Sequence, residues 1–153
     1  MNNENKSLLL QDLCARLPYG VKILHETWNF EWDQEMTLLE RVIGIDEKFV
    51  YVKVIDTNNG EEYRDDRICI DTFDDKMFLR PMSSMTEEEK EELKEISRNY
   101  LDEWENAKTP IERLKLDAKI SYKRAVFYNS HHLDWNGLIE LGLAIEAPKE
   151  MYN

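Results

Sequence analysis

The chain has few of the residues that most often carry chemistry or sharp backbone turns: three histidines, two cysteines, four prolines and five glycines among 153 residues. Each scarcity excludes something. The glycines stand at 20, 44, 60, 137 and 142, too scattered to form a GxGxxG loop or a P-loop. No GxSxG elbow and no Cys/His signature for nucleophilic catalysis occurs. Cys14 and Cys69 sit in DLCARL and RICID, outside any CxxC pair, and read as reduced, half-buried thiols of a cytosolic protein. No apolar run approaches the ~20 residues that span a bilayer. The LLL at 8–10 is followed at once by Gln11 and Asp12, so neither a leader nor a membrane anchor is expected. The expected compartment is the cytoplasm.

Positive charge is also in deficit. Lys and Arg number 20 against 32 Asp and Glu, a net −12 spread over both halves of the chain. Such a field repels phosphates, and direct nucleic-acid binding is not expected. The same acidity fits a different class, a surface that imitates the DNA duplex and blocks a host nuclease or DNA-binding protein.

Hydrophobic residues make up 42% and aromatics 10%, enough for a core. The polar MNNENK at 1–6 reads as frayed. Ser7 then caps a short helix with Leu9, Leu13 and Leu17 at spacing four, stopped by Pro18 and Gly20. Alternating runs at 21–28, 37–45, 49–55, 66–72 and 77–81 read as short antiparallel strands, with turns at Asp46–Lys48 and Asn58–Gly60. The fold class read from this order is α+β. A small, bent antiparallel sheet or SH3-like barrel follows the first helix within 7–80, and helices fill 81–153, with RPMSSMT at 80–86 as the joint.

The second half opens with two capping boxes, Thr86/Glu89 and Thr109–Pro110/Glu112. The first helix carries Leu93, Ile96, Tyr100 and Trp104 as one stripe. The second carries Ile111, Leu114, Ala118, Tyr122 and Ala125, widened by Ile120 and Phe127. About five residues separate them, which predicts an antiparallel hairpin. Its stripes must bury against the sheet or against a second copy, so a homodimer through the hairpin is one expected state. Asp134 and Gly142 bracket a short terminal helix, WNGLIELG.

Three groups of residues invite a functional reading. Trp28, Phe30 and Trp32 alternate in ETWNFEWDQE among four acids. As core they would be unremarked, and as an exposed patch they form the expected protein-binding site. His131, His132 and Asp134 in SHHLDW are the metal candidates, for a metal-dependent hydrolase perhaps completed by His25. Adjacent histidines diverge in regular structure, however, and no third ligand stands nearby. The residues also suit the punctuation between two helices. Asp65, Asp66, Asp71, Asp74 and Asp75 are loop acids around a strand without the spacing of a calcium loop. His25, alone in a strand, reads as structural. No cofactor is implied. The leading expectation is a non-catalytic interaction module with a protein partner.

LCARLPYGVKI (13–23), FLRPMSSMTEEEKEEL (78–93) and HHLDWNGLIELGLAIEAPKEMY (131–152) resemble short proteins encoded in prophage-like and mobile regions of gut anaerobic bacteria. That group carries no assigned activity. The resemblance implies a phage or mobile-element setting and no mechanism.

Overall fold

The computed structural model describes residues 2–29 and 31–152. Helix α1 spans Asn3–Arg16 and starts before Ser7, because the Asn2 side chain accepts from the Asn5 amide at 2.7 Å and caps a start within the polar leader. Pro18 and Gly20 end it through a single 3₁₀ turn, Leu17–Tyr19. Gly20 there adopts φ +71°, a conformation that suits a residue without Cβ.

Six strands follow: β1 (Lys22–Asn29), β2 (Gln34–Ile45), β3 (Phe49–Ile55), β4 (Glu62–Cys69), β5 (Lys76–Leu79) and β6 (Ala144–Glu146). They form one sheet in the order β4-β3-β2-β1-β5-β6. All neighbours are antiparallel except β5 and β6, which run parallel. The sheet is open, so the SH3-like barrel is not formed. The reason lies in β4. Of Glu62–Cys69 only Ile68 is buried, which leaves that strand without an apolar face to close upon the far edge. The far edge is occupied by β6, three residues with a weak sequence signal.

The core lies on one face. Ile23, Val42, Val50, Val52, Ile68, Met77 and Leu79 meet Leu9 and Leu13 of α1, together with Phe73, Leu138 and Leu143. The expected cover by the N-terminal helix is therefore present, and the C-terminal segment shares it. Cys14 and Cys69 are both exposed, not half-buried.

Helices α2 (Glu87–Asn106) and α3 (Pro110–Ser130) form the hairpin, and both capping boxes are present as read from the sequence. Arg80 grips Glu89 through two bonds of 2.6 and 2.9 Å and donates to the Ser84 carbonyl, which fixes the base of the hairpin to the end of β5. Beyond that base α2 packs on α3, α3 touches α1, and neither helix lies along a strand. The expected single stripe of α3 is corrected by this arrangement. Ile120 and Phe127 are buried, and Leu116 and Ile120 face Ile96 and Tyr100 of α2, while Ile111, Leu114, Ala118 and Tyr122 are exposed.

The expected terminal helix at 135–142 is a run of turns. Gly137 at φ +72° interrupts it before a second helical turn can form. The caps are nonetheless used. Asp134 accepts from the Leu138 and Ile139 amides at 2.7 and 2.9 Å, and Gly142 at φ +70° turns the chain into β6.

Candidate functional site

The sheet face that carries the core continues past the reach of α1. Register decides what lies there. Ile23 stands opposite Glu40 and His25 opposite Leu38, and inward positions alternate along each strand. Glu40 and His25 thus fall on the core face of β1 and β2, and Asp66 and Arg64 continue that face on β4, opposite Val52 and Val54.

Glu40 is 1% exposed, and its Oε2 has no hydrogen-bond partner. Burial pushes its pKa up to about 7; His25 pulls it down, and Asp75 and Asp66 add to the rise. His25 Nδ1 lies 2.9 Å from Asp75 Oδ1, and that bond raises the imidazole pKa above its usual value. The buried Asp75 keeps its second oxygen, Oδ2, unpartnered. Arg64 and Asp66 form an ion pair at 2.9 Å beside them. A buried carboxyl with a raised pKa, a second buried carboxylate and an imidazole under one roof make an acid–base cluster. A cavity of about 290 Å³ opens against it, lined by His25, Thr27, Trp28, Leu38, Arg64 and Asp66 among others.

Trp28 belongs to the last turn of pleat in β1, opposite Glu35, and Trp32 to the turn that joins β1 to β2. They are 43% and 68% exposed. Glu26, Glu31, Asp33 and Glu35 around them are exposed too. Asn29 shapes the turn, its side-chain oxygen accepting from the Glu31 and Trp32 amides at 2.9 and 3.2 Å. Asp33 sits at φ +49°, which a short polar side chain tolerates. Phe30, the third aromatic of the expected patch, lies outside the described residues. Trp28 lines the cavity, so the aromatic tip and the acid–base cluster are neighbours on one edge of the molecule.

The metal candidates are placed differently. His131 is the C-cap of α3, and its Nδ1 bonds the Phe127 carbonyl at 2.9 Å. His132 is buried at φ +54° and stacked on Tyr152 with ring centroids 3.7 Å apart. Burial, helped by the nearby Arg16 charge, lowers its pKa to about 4. Both oxygens of Asp134 are spent on the amides of Leu138 and Ile139. The three side chains do not converge. Among the described residues, no group of three or more His, Cys, Asp or Glu is placed to hold a metal. Beneath this junction lies a buried pair, Asp12 with Arg16. Arg16 reaches the Leu133 carbonyl at 2.9 Å, and Asn136 donates to Asp12 at 2.7 Å.

Glu40 went unremarked in the sequence, yet a signal exists. In TLLERVI a carboxylate occupies an inward register between Leu38 and Val42, where alternation calls for an apolar residue. His25 carries the same signal one strand away. No protein-family model, no curated protein and no solved structure matches the chain.

Proposed function

We propose that the protein is a non-catalytic interaction module of a phage-like or mobile element, and that it holds a protein partner through the free end of the β1–β2 hairpin. One observation carries this reading: Trp28 and Trp32 are exposed together, at 43% and 68%, inside a rim of acids. Leaving two indoles in water forgoes burial worth about 1.5–3 kcal/mol for a large side chain, and a binding partner recovers it. The rim defines that partner as a protein with an apolar slot edged by lysine or arginine.

The alternative of DNA mimicry draws less support. On the sheet, arginine and lysine interleave with the acids as Arg41–Glu62, Lys53–Asp65 and Arg64–Asp66, which breaks up any row of carboxylates. A hydrolase built on His131, His132 and Asp134 draws none, since His131 and Asp134 are bonded within the fold and the three side chains do not converge.

Affinity capture from host lysate with the native chain and with Trp28→Ala/Trp32→Ala tests the reading. The expected result is a protein enriched by the native chain and lost from the variant, with the two melting at similar temperature. The same enrichment with both chains overturns it.

A further inference from the structure

Helix α3 is apolar on two opposite sides. Leu116, Ile120 and Phe127 fall on one side, and at 3.6 residues per turn Ile111, Leu114, Ala118, Tyr122 and Ala125 fall about half a turn away. The first side meets α2 at Leu116 and Ile120, and its Phe127 is buried. The second faces solvent, with Ile111 67%, Leu114 70% and Tyr122 71% exposed.

We infer that a second copy of this chain covers that face, in an isologous dimer whose two α3 helices pack antiparallel about Ala118. Two features of the chain select this occupant. The stripe keeps the same spacing, four and seven residues, in both directions from Ala118. A twofold axis through that residue sets Leu114 level with the partner's Tyr122, and Ile111 level with the partner's Ala125. Each large residue thus meets space or an aromatic, and the smallest side chain stands where the two helices cross most closely. Area agrees. With roughly 150–250 Å² available to a large aromatic, three side chains about two-thirds exposed offer some 300–400 Å² per copy. With the flanking stems of Lys115 and Ser121, two copies approach the ~1,200 Å² that marks the small end of specific interfaces. An interface of this size belongs to the weak, transient class. The dimer leaves the β1–β2 tip unoccupied, so it stands or falls apart from the proposed partner site.

Sedimentation equilibrium from about 1 to about 500 μM tests the inference. The native chain should pass from monomer to dimer across that range. Leu114→Glu/Tyr122→Glu should weaken association more than about tenfold, with unchanged helical circular dichroism, since both residues are exposed. A geometric test accompanies it. In a Cys14→Ser/Cys69→Ser background, Ala118→Cys should form an intermolecular disulfide under mild oxidation, much faster than Glu92→Cys on the outer side of α2. A native chain monomeric throughout, a dimer untouched by the double glutamate variant, or equal cross-linking at 118 and 92 would each overturn it.

Discussion

At residue scale the most consequential side chain is Glu40. Its folded pKa of about 7 lies above the usual carboxylate value, so the folded state binds a proton that the unfolded chain has released. The stability tied to that proton is complete below about pH 4.5 and is lost as pH rises through about 7. His25 adds in the same direction. Its raised pKa means a contribution present below about 6.5 and lost above the folded value. His132 opposes them. With a pKa lowered to about 4, it favours folding above about 6.5 and loses that contribution as pH falls toward 4. The sum is a chain that weakens above neutrality through Glu40 and His25. The substitution Glu40→Gln removes the buried charge and should raise the melting temperature at pH 8 by several degrees, since about 1 kcal/mol shifts a chain of this size by roughly 2–4 °C. At pH 5 most of that difference should be gone. Thermal unfolding at both values checks this, and an equal shift at pH 5 and pH 8 would count against the assigned titration.

At the scale of elements, most of what the sequence announced was announced by local chemistry. Thr86, Thr109 and Pro110 start their helices where capping boxes predict, and Pro18 and Gly20 stop α1. The alternating valines of β3 point inward as read. The failures share a cause. In the case of β6, three residues carry too short an alternation to be seen, and the strand exists because β5 offers a free edge beside it. The barrel failed because β4, read from the sequence only over 66–72, extends through the exposed residues 62–65 and has no apolar face to close upon a partner. In α3 the two apolar faces were merged into one wide stripe, because spacing alone does not say which neighbour each side meets. The site divided in the same way: the tryptophans were visible as a pattern, while the Glu40–His25–Asp75 cluster required the register of three strands. Asp134 shows how a cap outlives its helix. Asp134→Ala leaves two buried or half-buried amides without acceptors and should cost about 1–3 kcal/mol in urea unfolding. A loss below ~0.5 kcal/mol would mean that water replaces it.

At the scale of the whole molecule, the two ends of the chain share one polar clamp. Asp12 and Arg16 on α1 meet Leu133 and Asn136 across more than a hundred residues of sequence. Both charges are buried, so removing one partner strands the other. The expected penalty for Asp12→Ala is about 3–5 kcal/mol, because Arg16 is then left uncompensated. Asp12→Ala/Arg16→Met should recover much of that loss, and equilibrium unfolding of both variants decides the matter. No helix among the described residues is long and apolar enough to cross a membrane.

The parallel pairing of β6 on β5 sets an order of events during synthesis. Residues 22–79 supply five strands as soon as they leave the ribosome, but the outer edge of β5 and the cover from Leu138 and Leu143 wait for the last part of the chain. Translation passes through both long helices in between. For that interval the nascent chain shows an unpaired strand edge and part of an uncovered apolar face, so its period of greatest exposure to misassembly or chaperone capture falls while α2 and α3 are being made.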